Sequence, residues 1–396
     1  MGATADPAPG ANVALLRRAR GWSQSKLARR ANVSVSLLSK VEIGDRPLTP
    51  AVAAALGRAF GVTTADVLVP ASVAADDEQL LDALRSAIRD FDLPGKEAVP
   101  GERVTARIEA ADRYRRAVDV TALMPMLAPL LRDATTHAHT ANTAGAWSAL
   151  ADVYSTVYWL AARHRWMDIA ELAVARQRWA AEQQPNPLAV AVAARDRAGT
   201  YLNFGDVERG LVVVDRAITA VQSAPLGTTD RDLAVGILNL RGMTLAGRLP
   251  DKKEGKRESE RHIRSAWRAA DSFTHGDVAA HGLTFGPQNT FSHVFATHVD
   301  LGRPRVALSL TDNLDDALAG LPPTRVAPTR INYARAQLDT GDRDGALQNL
   351  STAFDTAPQM ARIHPMGREV FRVLSSLNRR SNPQLERLSR LSGISL

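Results

Sequence analysis

Apolar residues recur at helical spacing along most of the chain, and the segment 24–41 shows this pattern most sharply. Five of its apolar residues fall where two steeply crossing helices must touch: Leu27, Ala31, Val33, Leu38 and Val41. Asn32 occupies the corner between the helices, where asparagine tolerates a left-handed backbone better than any residue except glycine. Ser34 then caps the second helix. The segment predicts two short helices joined by a tight corner.

The segments on either side continue this pattern over residues 12–68. They are NVALLRRAR, then GWSQ at the entry to the second helix, SLLSKVEIG at the end of the third, and PLTPAVAAALGRAFGVTTADVL. Five helical segments in this order resemble the phage-repressor-like (XRE) family of helix-turn-helix DNA-binding domains, from which Asn32 is a mild departure. The resemblance implies that the second helix of the motif enters the major groove of double-stranded DNA.

Carried onto this chain, the resemblance places four outward residues of that helix at base edges: Val35, Ser36, Ser39 and Lys40. Lys40 can donate to guanine O6 and N7, and an equally supported alternative is that it pairs with a phosphate. The two serines can bond to several bases. Val35 suits the methyl group of thymine, with inward packing as its alternative.

Four further residues are expected at the DNA surface: Ser23, Gln24, Ser34 and Arg46. Ser23 and Gln24 lie at the start of the preceding helix, where backbone N–H groups favour a phosphate. The guanidinium of Arg46 suits phosphate oxygens. One such module contacts about half of an operator, so the resemblance implies a homodimer on a palindromic site.

The positive charge of the chain is concentrated in this segment. Of the total net charge of +7, the first 70 residues carry nine basic and four acidic residues, or +5, and the remaining 326 residues carry +2. Phosphate contact with counterion release requires such a concentration, whereas a solubilising surface would spread the charge. The distribution therefore favours nucleic acid as a partner.

The length of 396 residues suggests two or three units with substantial cores. The chain has no cysteine, which fits a reducing cytoplasm. Its longest apolar runs, LMPMLAPLL and LAVAVAA, are too short to cross a membrane, and MGATADPAPG lacks the regions of a signal peptide. The sequence predicts a cytoplasmic protein with no membrane partner.

We expect four units: a flexible arm (1–10), a helix-turn-helix domain (11–70), a linker with one helix (71–101) and a helical repeat domain (102–396). The linker holds two Pro-Gly dipeptides and the helical segment EQLLDALRSAIRDF. No strand pattern of any length follows it. The predicted fold class is therefore all-α, with a repressor-like domain of five helices before a tetratricopeptide-like superhelix.

Internal repetition supports the second of these units. AGTYLNFGDVERGLVVVDRAI and NYARAQLDTGDRDGALQNLSTAF show the spacing of tetratricopeptide repeats, which are antiparallel helix pairs packed through small residues. The small residue of the second helix recurs about every 40 residues, at Ala170, Gly210, Ala266, Ala307 and Ala346. The charged run RLPDKKEGKRESE before Ala266 is interpreted as a solvated loop rather than a DNA or partner contact. Helices between Glu102 and Ala138, and the final two helices, are expected to cap the array.

In a tetratricopeptide array the first helix of each pair lines a concave groove. The repeat register assigns nine residues to that groove: Asp152, Ser155, Trp159, Arg195, Asn203, Arg241, Asn289, Ser292 and Arg335. Arginine and asparagine side chains suit a ligand that bears carboxylates and peptide amides. The alternative is an empty groove whose arginines pair with Asp300 and Asp339.

Catalytic and metal motifs are weak or missing in the sequence. The histidine pairs have no spacing that places two ligands on one helical face, so no metal and no cofactor are expected. The chain has no phosphate-binding glycine loop, GxSxG elbow or HExxH motif, and we expect it not to be an enzyme.

The complete layout is similar to the XRE regulators with tetratricopeptide-like domains that are common in actinobacteria. Segments LTFGPQNTFSHVFATHVDLGRP and WLAARHRWMDIAELAVARQ carry this resemblance. The architecture alone also resembles the peptide-pheromone regulators of Gram-positive bacteria. Both imply a transcriptional regulator whose repeats dimerise and bind a peptide or small-molecule signal, with control of secondary metabolism or development suggested by the first. The alternative is a regulator whose repeats serve as a protein adaptor.

Overall fold

Five short helices form the amino-terminal domain in a computed structural model that describes residues 9–62, 64–68, 75–377 and 382–394. These helices are α1 (Pro9–Ala19), α2 (Gln24–Ala31), α3 (Val35–Ile43), α4 (Pro50–Phe60) and α5 (Thr64–Leu68). The predicted corner is confirmed, because Asn32 has a left-handed φ of 52°. The predicted cap is also confirmed, since Ser34 Oγ accepts a hydrogen bond from the N–H of Leu37.

The core of this domain comes from the predicted contact positions. Leu27, Leu38 and Val41 are almost fully buried between α2, α3 and their neighbours. Residues 1–8 of the predicted arm lie outside the described residues. Helix α1 begins at Pro9, before the predicted end of the arm, and Gly10 packs so closely that an added Cβ would lie 2.0 Å from the carbonyl oxygen of Val41.

Three helices lead from this domain into the repeats: α6 (Ala75–Arg89), α7 (Gly101–Ala117) and α8 (Val120–Ala141). Helix α6 lies within the segment predicted as a linker and packs against α8. Its apolar face buries Leu84 and Ile88. The chain between α6 and the repeats is therefore anchored by hydrophobic contacts.

Antiparallel helix pairs make up most of the remaining chain. They are α9 (Ala144–His164) with α10 (Met167–Ala181), α11 (Pro187–Phe204) with α12 (Val207–Ser223), and α13 (Thr228–Ala246) with α14 (Lys252–Ala270). Further along lie α15 (Pro287–Asp300), α16 (Pro304–Leu308), α17 (Leu314–Ala317), α18 (Pro323–Thr340) and α19 (Arg343–Thr356). The five small residues predicted for the second helices are all buried. The predicted all-α architecture of a helix-turn-helix domain followed by repeat-like helix pairs is confirmed.

Two details differ from the sequence-based expectations. The charged run interpreted as a loop mostly forms the start of α14, because Asp251 caps it and pairs such as Arg257 with Glu254 stabilise successive turns. A small antiparallel hairpin, β1 (Val278–Ala280) and β2 (Leu283–Phe285), lies between α14 and α15. Each strand has three residues, which is too short for an alternating pattern to reveal.

The last helices bring the end of the array back to its beginning. They are α20 (Pro358–Ile363), α21 (Pro365–Leu377) and α22 (Pro383–Ser392). One hydrophobic core joins the amino-terminal domain, α6 to α11 and α18 to α22. The backbone N–H of Val120 donates to Gln359 Oε1 at 2.8 Å across this junction. The array therefore curls round and encloses the inward faces of its helices. In the described part of the chain, no helix has the length and apolar composition that crossing a membrane requires.

Candidate nucleic-acid interface and ligand cavity

Helix α3 presents the predicted base-reading residues to solvent. Val35 is 43% exposed, so the alternative of inward packing does not hold. Ser36 and Lys40 are also exposed, and Ser39 is half-buried. Because Leu38 and Val41 anchor the opposite face of this short helix in the core, the outward residues are held on a rigid support. The arrangement offers one ammonium, two hydroxyls and one methyl-bearing side chain to a groove.

The residues expected beside the DNA backbone have different surroundings. Ser23 Oγ caps α2 by accepting from the N–H of Lys26. Arg46 is exposed just beyond α3. Gln24, by contrast, donates its side-chain amide to Glu42 Oε2 at 2.9 Å. That amide is engaged within the protein, so the predicted role of Gln24 as a phosphate clamp would require this bond to break.

Glu42 of α3 bonds to side chains of both preceding helices. Arg17 Nε pairs with its carboxylate at 2.7 Å, and Gln24 bonds to the second oxygen. Burial opposes ionisation of Glu42, but the bonds from Arg17 and Gln24 outweigh burial and lower the pKa of that carboxyl. The motif therefore contains an internal ion pair that fixes α1, α2 and α3 relative to one another.

The amino-terminal domain rests directly on the repeats. Arg58 of α4 donates to the carbonyl oxygen of Gly205 at the end of α11, at 2.7 Å. Gly205 has φ of +81°, and an added Cβ would lie 2.9 Å from Thr64 Oγ1. On the other side, the N–H of Leu48 donates to the buried Glu369 of α21 at 3.3 Å. Hydrogen bonds thus hold the amino-terminal domain against the end of α11 and against α21.

A cavity of about 340 Å³ lies inside the curled array. Its wall includes the inward faces of α9, α11, α13, α15 and α18, and residues Thr64 and Leu68 of α5 close part of it. Six arginines line it: Arg163, Arg165, Arg241, Arg248, Arg325 and Arg335. One acidic residue, Asp300, lies among the described residues of the wall.

Several residues that the repeat register assigned to the groove line this cavity. Five of the predicted ligand-binding residues line the cavity: Asn203, Arg241, Asn289, Ser292 and Arg335. Whether they bind a ligand stays a prediction. Their shared position follows from the buried small residues, which set the rotation of each helix pair.

Four other residues that the register assigned to the groove do not line this cavity. Trp159 is only 4% exposed, because the Arg115 and Arg163 guanidinium groups lie over its ring at 5.7 and 4.3 Å. Ser155 donates to the buried Asp196 at 2.7 Å, and Arg195 pairs with the same carboxylate. The remaining residue, Asp152, accepts a hydrogen bond from His281 of the hairpin at 3.0 Å. Internal partners therefore occupy these side chains.

Ion pairing explains part of the arginine cluster. Arg335 Nη2 lies 3.0 Å from Asp300 Oδ1, and Arg248 Nε lies 2.9 Å from Asp300 Oδ2. Burial opposes ionisation of Asp300, but the two guanidinium groups outweigh it and lower its pKa. Among the described residues Arg335 pairs with Asp300 and not with Asp339. Of the internal pairs that belong to the predicted alternative, the one between Arg335 and Asp300 is present.

Several residues of the cavity wall were not predicted from the sequence. Arg163 and Arg165 lie at the end of α9, and Arg325 lies in the first turn of α18, outside the positions that the repeat register marks. Two histidines also line the cavity. Burial lowers the pKa of His364 to about 3 and that of His293 well below its ordinary value, so both are neutral at pH 7. Within the described residues no group of three histidine or acidic side chains is placed to hold a metal ion.

Comparison with known proteins identifies the amino-terminal domain. Residues 10–68 match the model of a helix-turn-helix domain family. No curated protein matches the chain. Two solved structures of PrgX align with this chain over most of their length. A PrgX mutant has 9% identity, covers 96% of this chain and 99% of its own, and gives a TM-score of 0.29.

The second is the PrgX/iCF10 complex, with 11% identity, 98% coverage of both chains and a TM-score of 0.27. TM-scores this low carry no argument about function. The chain therefore has an amino-terminal helix-turn-helix domain of the kind that binds DNA, followed by a helical region with an arginine-lined cavity.

Proposed function

We propose that the protein is a ligand-responsive transcriptional regulator. The observation that carries this proposal is the contact between its two parts: α5 of the DNA-binding domain supplies Thr64 and Leu68 to the wall of the cavity. A ligand in the cavity touches the DNA-binding domain directly. A ligand that contacts these two residues would bind more tightly when α5 lies against the cavity than when it does not, and such a difference in affinity is the requirement for coupling.

The DNA end of the proposal is supported by the exposed face of α3. Lys40, Ser36 and Val35 point outward from a helix that is capped and anchored. We propose an XRE-type regulator of the actinobacterial class with tetratricopeptide-like repeats, acting in the cytoplasm as a homodimer on a palindromic operator. Its repeats bind a signal, a peptide or a small molecule, and do not catalyse a reaction.

Selection from a random duplex library tests the DNA end. The full-length protein is bound at moderate salt, and retained duplexes are sequenced for wild type, Lys40→Ala and Ser36→Ala. Lys96→Ala is the matched control, because this exposed lysine lies in the segment between the two domains. We expect an enriched palindrome with wild type and Lys96→Ala, and a relaxed or lost motif with the α3 variants.

Retention without any enriched sequence, equal in all four proteins and abolished by salt, would contradict sequence-specific regulation. Co-purification of a defined protein with the repeats, together with this result, would instead support the adaptor function.

A further inference from the structure

Four arginines of the cavity wall lack a carboxylate partner. Arg163, Arg165, Arg241 and Arg325 make no ion pair with any described residue, whereas Arg248 and Arg335 share Asp300. The two histidines of the wall are neutral. The described lining therefore carries six guanidinium groups and one carboxylate, a net charge of +5 within about 340 Å³.

The unpaired arginines lie in the cavity wall and are only partly exposed to solvent. Burial, followed by the charge of neighbouring arginines, lowers the pKa of Arg241 to about 10 and that of Arg325 to about 9. Like charges held together away from water raise the free energy of the folded protein. An anion in the cavity would offset this unfavourable term, since electrostatic interactions are strong at low dielectric.

Several residues of the cavity wall have hydrogen-bonding atoms without partners among the described atoms. Asn289 is 1% exposed and Thr324 is 5% exposed, and both line the cavity. Asn289 Oδ1 and Thr324 Oγ1 have no partner among the described atoms, and neither does Nε of Arg241 or Arg325. Buried polar atoms are normally satisfied, so these four mark a part of the wall where the described protein atoms leave hydrogen-bonding capacity unused. An amide oxygen accepts only, so the ligand also carries a donor.

The arginines are held in place by their surroundings. The Arg163 guanidinium stacks on Trp159 and donates to its carbonyl oxygen at 3.0 Å. Arg241 passes close to Gly199, where an added Cβ would lie 3.1 Å from Arg241 Nη2 and 2.0 Å from Tyr158 Oη. A glycine is therefore needed in this turn of α11. Such preorganisation limits the entropy lost when a ligand binds.

We propose that the cavity binds a compact polyanion that bears at least two phosphate or carboxylate groups and one hydroxyl or amine donor. Arg241 and Arg325 contact the anionic groups, and Asn289 accepts the donor. The cavity volume lies near the lower end of the range for small-molecule sites, which favours a compact ligand over a long peptide. That the polyanion acts as a signal rests on the proposed function, whereas its binding to the cavity does not.

Thermal unfolding of the full-length protein tests this site. The probes are inorganic pyrophosphate and citrate, each compared with sodium chloride at equal ionic strength. We expect at least one probe to give a saturable rise in Tm of a few degrees beyond the salt effect. A response to pyrophosphate alone identifies a phosphate ligand, and a response to citrate alone identifies a polycarboxylate.

The variants Arg241→Met and Arg325→Met separate binding from folding. Each should weaken binding of the probe at least tenfold, and each should unfold at the same or a higher Tm without probe, because an unpaired buried charge is removed. Arg216→Met, which removes an exposed charge on α12, is the control and should keep the full response.

Three results would overturn the proposal: no response to either probe beyond salt, an undiminished response in both cavity variants, or a lower unliganded Tm in both. A lower Tm of both variants without probe would mean that these arginines stabilise the folded protein. Operator selection with the same samples keeps the two proposals apart. A probe response without an enriched operator would refute the regulator and leave the polyanion site. An enriched operator without a probe response would refute the polyanion site and leave the regulator.

Discussion

The protein contains two concentrations of positive charge, which differ in their access to water. Around α3, residues such as Lys40 and Arg46 are exposed. In the cavity, Arg241 and Arg325 line the same wall and are only partly exposed, and the charge of Arg241 helps to lower the pKa of Arg325. Exposed cations are screened by salt and interact reversibly with a phosphate backbone. Enclosed cations are screened little, so each requires either an internal carboxylate or a bound anion.

The cavity contains arginines that have an internal carboxylate partner and arginines that do not. Arg248 and Arg335 are neutralised by Asp300, while four neighbouring arginines lack a carboxylate among the described residues. The difference suggests a division of roles, in which the Asp300 pair stabilises the fold and the unpaired group binds the ligand. Variants that change one class of cation at a time test this division of roles.

The largest effect is expected from Asp300→Ala. It leaves the buried Arg335 and the partly exposed Arg248 without a carboxylate, so the free energy of unfolding should fall by about 3 to 5 kcal/mol. Urea unfolding of the full-length protein measures it. Asp355→Ala, which removes one partner of the exposed pair with Arg387, is the control and should cost less than about 1 kcal/mol. Equal losses would mean that the cavity is no less solvated than the surface.

The second effect concerns the exposed cations. Lys40→Ala should reduce affinity for the selected operator by about 1 to 3 kcal/mol and relax the preference at one base pair. Titrations of specific and scrambled duplexes at several salt concentrations measure both quantities. If Lys40 contacts only a phosphate, affinity for both duplexes will fall equally. Arg241→Met should leave the affinity of unliganded protein for DNA unchanged, because its charge is enclosed.

The third effect concerns the contact between the two regions. Arg58→Ala removes the hydrogen bond to the carbonyl oxygen of Gly205 and should weaken docking of the DNA-binding domain by about 1 kcal/mol. Amide hydrogen exchange in α4 and α5 should then accelerate severalfold. Arg29→Ala, which changes an exposed arginine of α2, should leave this exchange unaffected. Unchanged exchange in both variants would show that this bond does not hold the domain.

The smallest effect is expected from His281, which lies in the hairpin at 3.0 Å from Asp152. The hydrogen bond to Asp152 outweighs burial and raises the pKa of His281 in the folded protein. This contribution is therefore complete below the unfolded pKa of about 6.5 and is lost as the pH rises through the folded pKa. It should amount to less than about 1 kcal/mol.

Unfolding free energies of wild type and His281→Gln, measured across this pH range, should converge as the pH rises. Asp152→Asn should remove the same pH dependence. A difference that persists unchanged into alkaline conditions would show that the imidazolium charge makes no contribution.

Patterns along the chain specify the local structure of this protein. Helical periodicity, the corner residue Asn32 and the cap Ser34 specify the helix-turn-helix, because these features act over three or four residues. Recurrent small residues such as Ala170 and Ala346 specified the helix pairs, and they placed Asn203 and Arg241 on the inward face. The three-residue strands of the hairpin escaped detection because so short a segment carries no period.

The tertiary structure alone decided which charges meet. Arg163, Arg325 and Asp300 lie far apart in sequence, and only the curl of the array brings them into one enclosed space. It also decided that Trp159 lies beneath arginine side chains and that Thr64 of the DNA-binding domain reaches the cavity. Burial and pairing are properties of neighbours in space. A pattern along the chain therefore specifies which helix face turns inward, but not which partner it finds there.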